Sequence, residues 1–235
     1  MKFTCEVISV AALAAALALC TFALAQNTAP AAPAIEDADE PTLIGIIQGD
    51  GPYVDKLKAC RGLRIRGTAA AVPALAAMLP NPELSHIARY ALEPMPCPQA
   101  GKALRDAVAK TAGKSKAGIA ASLGVRRDPD AVPVLTPLLN DADAEVAQAA
   151  AAALGRIAMP AAVNALFKCA DNRPEEMRPA AGEALLATAA RIAESDPAAA
   201  IDLYEKLQAP NGPCSSAPAH STASPPHSPL KRPSV

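Results

Sequence analysis

The stretch AVPVLTPLLNDADAEVAQAAAAALGRI, Ala131 to Ile157, holds two apolar faces at helical spacing with an acidic turn between them. In its first half Val132, Leu135, Leu138 and Leu139 fall three and four apart, and in its second half Val146, Ala150, Leu154 and Ile157 do the same. Asn140 to Asp143 separates the two. Neither helix is long enough to be stable alone in water. A single pair also leaves its apolar face uncovered, so the unit must stack against copies of itself.

Those copies are present. The leucine of the second helix recurs as Leu63, Leu92, Leu123, Leu154 and Leu185, at separations of 29, 31, 31 and 31 residues. First helices keep step through Leu75, Leu104, Leu135 and Leu166, separated by 29, 31 and 31. Four residues before each second-helix leucine sits Ala59, Ala88, Ile119, Ala150 or Ala181, always apolar. Alanine richness alone would explain the alanines. It would not explain the leucines, or the return of Ala71-Val72-Pro73-Ala74-Leu75 as Ala131-Val132-Pro133-Val134-Leu135. No stretch reads as a strand. The expected fold is an all-α, right-handed solenoid of about five helix-turn-helix units, spanning residues 41–209.

The segments AVPALAAML and AVPVLTPLLNDADAEVAQAAAAALGRI resemble the short HEAT-like repeats first described in phycobilisome (bilin) lyases, over roughly Pro41 to Leu207. The block from Lys58-Ala59-Cys60-Arg61 through Leu84 to Pro94 is similar to exported bacterial HEAT-repeat proteins. The resemblance implies an armadillo-like fold and a binding surface, with the second helices supplying the inner face, and it implies no chemistry. Pro73 and Pro133 sit in first turns, where a missing N–H costs nothing, whereas Pro137 falls inside its helix and should kink it.

A hydrophobic fraction of 51% with 3% aromatics and no tryptophan suits helices packed through Ala, Leu and Val rather than a compact enzyme core. Lys2, the apolar run Val7 to Ala25 and the small residues Ala23 and Ala25 before Gln26 have the parts of a signal peptide over residues 1–25. The expected address is periplasmic or secreted. Glu6 and the length of the run leave an uncleaved membrane anchor as the alternative. Leu19 is the wrong residue to precede a lipidated Cys20. Residues 26–40, rich in Ala and Pro with Glu36, Asp37, Asp39 and Glu40, read as a solvated linker. The Pro- and Ser-rich residues 210–235 read as a disordered tail. Between these, Asp196 to Leu207 reads as one further first helix, capped by Asp196 ahead of Pro197 and lacking its second helix.

No catalytic, cofactor-binding or metal-binding residue is assigned. Cys60, Cys97, Cys169 and Cys214 lack paired Cys-x-x-Cys spacing, and Cys60 and Cys169 are expected as small buried hydrophobes. His86, His220 and His227 are too few and too scattered for the iron site of repeat-built hydroxylases. His86 is read as a helix-end or turn residue. Ser85 lacks a nucleophile elbow and is read as turn chemistry. The glycines follow no strand, so no phosphate loop is formed.

Charge carries more information. From Pro41 to Arg127 there are thirteen basic against five acidic residues, plus eight; from Asp128 to Leu207 there are six against thirteen, minus seven. A long thin solenoid with halves of opposite sign has a dipole that can steer a partner. Lys58, Arg61, Arg64, Arg126 and Arg127 are the candidate surface for an anionic partner. Nucleic acid is disfavoured by the expected export and the lack of interleaved aromatics. The expected function is therefore a non-enzymatic, exported scaffold that binds a protein or peptide, with self-association through the open C-terminal end as a further possibility. The alternative is an accessory subunit or enzyme resembling bilin lyase components.

The leader makes a direct prediction. N-terminal mass spectrometry of the mature protein should find Gln26, or a residue within a few positions of it, at the start; retention of Met1 in a membrane fraction would mean an anchor.

Overall fold

The computed structural model of the chain describes residues 34–172 and 178–209. Among these are eleven α-helices and no strand. They form five pairs: α1 (Glu40–Gln48) with α2 (Tyr53–Arg66), α3 (Val72–Met78) with α4 (Ser85–Leu92), α5 (Pro98–Val108) with α6 (Gly113–Arg126), α7 (Val132–Leu135) with α8 (Ala144–Ile157), and α9 (Pro160–Asn172) with α10 (Arg178–Ile192). One further first helix, α11 (Pro197–Gln208), follows. Each first helix packs on its own second helix, and the second helices stack in the order α2, α4, α6, α8, α10. The architecture is an all-α solenoid.

Both leucine ladders run down the middle of it. Leu63, Leu92, Leu123, Leu154 and Leu185 are fully buried, as are Leu75, Leu104, Leu135 and Leu166. So are Ala59, Ala88, Ile119, Ala150 and Ala181, one helical turn before the second-helix leucines. Cys60 and Cys169 are buried too. Burial in an apolar contact pushes the Cys60 thiol up to about 12.

Successive second helices meet one residue to either side of the ladder. The residue after the leucine of one repeat faces the residue before the leucine of the next. In the C-terminal half those residues are Gly and Ala, and the backbones nearly touch. A Cβ on Gly124 would lie 2.6 Å from Ala153 Cα, and one on Gly155 would lie 2.7 Å from the Ala184 carbonyl oxygen. Neither neighbour can swing aside, because both are helix backbone.

Helix ends are set locally. Asp39 caps α1 by accepting from Thr42 N at 3.2 Å, Asp143 caps α8 by accepting from Glu145 N at 2.9 Å, and Asp196 caps α11 by accepting from Ala199 N at 3.0 Å. Pro137 does more than kink its helix. It stops α7 after Leu135, and a 3-10 turn, Pro137–Asn140, takes over, because proline offers no N–H to the preceding turn and its ring crowds the carbonyl four residues back.

One boundary differs from the sequence expectation. Helical structure begins before Pro41, with a 3-10 turn at Ile35–Asp37 packed on α2, so part of the acidic linker belongs to the fold. Arg66 donates to the Glu36 and Ala38 carbonyls, and the Glu40 carboxylate accepts from Thr68 N at 2.6 Å. These acids are helix caps and tethers as well as solvating charge. In α11, Leu203 and Leu207 are buried as expected but Ile201 is 58% exposed. The leader at 1–25 and the tail at 210–235 lie outside the described residues. Among the described residues no helix is long and apolar enough to cross a membrane.

The packing makes opposite predictions for two glycine substitutions. Gly45→Ala, with open space around the new methyl, should raise the urea midpoint by the equivalent of about 0.5 to 1 kcal/mol, whereas Gly155→Ala should lower it despite the same gain in helix propensity. Leu154→Ala should cost about 2 to 5 kcal/mol in the same measurement.

A second prediction concerns acid. The Asp143 backbone N–H at 3.0 Å and the Lys116 ammonium at 3.2 Å hold the Asp141 carboxyl below its ordinary range. A carboxyl whose pKa is depressed by folding stabilises the fold above its unfolded pKa of about 3.9, and that stabilisation is lost as pH falls from there through the lower folded-state pKa. Circular-dichroism melts of Asp141→Asn should therefore depend less on pH below about 4 than those of the unsubstituted chain.

Candidate functional site

The ladder also decides which residues face out from the second helices. Two residues before each leucine stand Arg61, Tyr90, Ala121, Ala152 and Glu183; two after stand Ile65, Pro94, Val125, Arg156 and Ala187. Nine of these ten are exposed and Ala121 is half-buried. Along this face the apolar side chains are large toward the N-terminal end, at Ile65, Tyr90 and Val125, and only alanine toward the C-terminal end, at Ala152 and Ala187, beside the charged Arg156 and Glu183. Ile65 is 79% exposed, Val125 50% and Tyr90 43%.

Over α2 and α4 two ring contacts organise the face. The Tyr53 hydroxyl and His86 Nε2 are hydrogen-bonded at 2.9 Å, with the rings tilted and their centroids 6.1 Å apart. One end of the patch is fixed by this pair. At the other, the Arg64 guanidinium lies 4.0 Å over the Tyr90 ring and donates through Nη1 to the Tyr90 carbonyl at 2.7 Å. Arg61 lies between these contacts on the α2 stripe that runs Tyr53, Leu57, Arg61, Arg64. Neither Lys58 nor Arg61 has a hydrogen bond or ion pair to any described residue. They are cations without a counter-ion beside exposed apolar surface.

The five candidate cations therefore divide. Lys58, Arg61 and Arg64 share α2; Arg61 and Arg64 lie on the stripe of the aromatic patch, and Lys58 lies on the Ile65 side of the same helix. Arg126 is a fastener: Nη1 donates to the carbonyls of Leu92 at 2.6 Å, Glu93 at 2.9 Å and Met95 at 2.6 Å, and Nη2 to that of Cys97 at 3.4 Å. It satisfies the open carbonyls at the end of α4. Arg127 is exposed in the left-handed region, φ 51°, as the residue that ends α6, where its backbone N–H donates to the Gly124 carbonyl at 3.1 Å.

Other cations of the basic half are also committed. Arg89 Nη1 donates to the Gly118 carbonyl at 2.9 Å and to Ser122 Oγ at 3.2 Å, and the Ser122 hydroxyl lies 2.8 Å from a Glu93 carboxylate oxygen. Burial lowers the Arg89 pKa and the Glu93 carboxylate opposes that shift. Arg105 pairs with Asp128 and, at 3.6 Å, with Asp130, while Lys116 pairs with Asp141 at 3.2 Å, so charges meet across the seam between the halves.

Over α8 and α10 the same face is recessed into a groove of about 520 Å³ floored by Ala152, Ala180, Ala184 and Ala187, with Gln148 and Arg156 on one wall and Glu183 on the other. Its floor is alanine where α8 and α10 approach each other at Gly155 and Ala184.

Residues 101–186 match the family model of HEAT repeats. Over these residues the chain is built of HEAT-like repeats. No curated protein matches it. The matched residues run from α5 into α10, so the HEAT repeats with Gly–Ala contacts lie inside the match and the aromatic patch lies before it.

Sequence reasoning missed Tyr53 and Tyr90 as members of the surface. A signal was available, since two of only three tyrosines fall on second helices at positions the ladder turns outward. His86 is the second residue of α4, at its start as expected, but it is paired across to α2. Ser85 is buried at the start of α4, and the turn before it is made by Asn81, whose side chain accepts from Glu83 N at 2.9 Å. Among the described residues no cluster of three or more His, Cys, Asp or Glu is placed to hold a metal.

The division of the cations is directly testable. Arg126→Ala should destabilise the fold by about 1 to 3 kcal/mol, since it strips charge-assisted bonds from a helix end, while Arg61→Glu should stay within about 0.5 kcal/mol in denaturant titrations.

Proposed function

We propose that this chain is an exported, non-enzymatic scaffold that docks a protein partner on its second-helix face, with an acidic part of that partner over α2 and α4. The observation that carries this reading is Arg61, a cation with no partner among the described residues, on the stripe between the exposed Tyr53 and the Arg64–Tyr90 stack, with the likewise unpaired Lys58 beside the exposed Ile65 on the same helix. Apolar surface with aromatic and arginine residues is what protein interfaces are enriched in. Its strong basic surround steers an acidic partner and favours a fast, salt-dependent encounter. HEAT repeats are helical scaffolds suited to this role, and the apolar leader with its small residues before Gln26 supports export.

A photo-reactive amino acid in place of Ile65 tests the site. Ile65 is on the docking face and Lys110, at the end of α5, serves as the control. Irradiation in an envelope extract should give a discrete adduct from position 65 and none from position 110, and that adduct should fade with added salt and on Arg61→Glu. Adducts equal at both positions, or one indifferent to Arg61→Glu, would remove the basic patch as the docking surface.

A further inference from the structure

The second-helix face is unlike itself from end to end. Over α2 and α4 it projects Tyr53, Ile65 and Tyr90 and carries the free Lys58 and Arg61. Over α8 and α10 it is hollow, with an alanine floor and the exposed Glu183 at the groove. The helix midway along the stack is α6, whose outward residue is the uncharged, half-exposed Val125. The charge follows the shape: the half that projects is plus eight and the half that is hollow is minus seven.

We propose that a second copy of this chain docks antiparallel on this face, about a twofold axis that passes beside Val125. Two long molecules with opposite charge at their ends lie side by side most favourably when antiparallel, because each positive half then faces a negative one. A twofold contact must also be self-complementary, each patch of one copy meeting its opposite number on the other. Here the opposite numbers fit. Tyr53, Ile65 and Tyr90 of one copy lie over the alanine-floored groove of its partner, and Lys58 and Arg61 lie against its Glu183. Arg156, the cation of the groove, meets the faces of the incoming tyrosine rings. Only the residue on the axis must meet itself, and Val125 can do so without charge or unpaired polar atoms. An antiparallel contact closes at two copies, unlike a head-to-tail one, which would run on into a filament.

This inference rests on the second-helix face being the docking surface, and it names the partner as the chain itself. Sedimentation equilibrium of the purified full chain at low salt should give twice the 23.9 kDa of one chain, with the dissociation constant rising about tenfold or more as salt is added to screen the contact. Val125→Glu places two like charges together on the axis and should give a monomer whose melting curve matches that of the unsubstituted chain at a salt concentration or dilution where that chain is itself monomeric. Arg61→Glu and Glu183→Lys should each give a monomer, because either reversal sets like charges against each other in both contacts. Their equimolar mixture should recover the dimer, since in the mixed pair one contact keeps the original charges and the other has them exchanged. A chain that is monomeric at every salt and concentration overturns the proposal, and so does a dimer untouched by Val125→Glu or a mixture that stays monomeric. If the purified chain is monomeric while position 65 still gives an Arg61-dependent adduct in extract, the twofold dimer fails and the docking face stands; if both are negative, both fail.

Discussion

Everything in this molecule depends on the contact between one second helix and the next, at the residues flanking the buried leucine ladder. No helix pair here covers its own apolar face, so each leucine is shielded only because a neighbouring repeat lies against it. In the C-terminal half that shielding is achieved by removing side chains. Gly124 and Gly155 bring backbone against backbone, and the stack is held by close packing of groups too small to adjust. The groove over α8 and α10 lies above the same contact, floored by alanine where the two helices approach each other.

In the N-terminal half the same rung is occupied by Arg64 and Glu93 instead of glycine. Side chains of that size hold the helices through polar contacts, and the basic residues there become part of the framework. Arg89 bridges α4 to α6 through Gly118 and Ser122, while Arg126 gathers the carbonyls at the end of α4. Thr188 performs the equivalent task at the C-terminal end with a neutral hydroxyl, donating to the Gly155 carbonyl at 3.0 Å. The excess of cations in the first half is thus in part an alternative way of fastening repeats. A charge count overstates how much of it faces a partner.

What remains outward is small and specific. Arg61 stands without a counter-ion beside aromatic rings that are themselves pinned, Tyr53 by His86 and Tyr90 by Arg64, and the unpaired Lys58 lies on the Ile65 side of the same helix. Rings fixed in place lose little entropy on binding, which favours them as anchors over freely rotating side chains. The site is therefore built on the helices and inherits their rigidity.

That Pro137 ends its helix and that Asp143 caps the next one came from the structure. The repeat period, the two ladders, the cap at Asp196 and a disturbance at Pro137 could all be read from the chain, because each arises from backbone geometry within a few residues or from a period that any stacked unit must keep. So could the burial of Cys60 and Cys169 and the separation of charge. The fate of each charge could not. Arg61 and Arg126 look alike in sequence, yet one is free and the other is spent on four carbonyls, and only the placement of α6 against the end of α4 decides which. The pairing of Tyr53 with His86 likewise joins residues 33 apart through the lateral packing of α2 on α4. Local rules set where the helices begin, end and bury their leucines; the spacing between neighbouring helices, which no single repeat contains, set which polar groups were left to meet a partner.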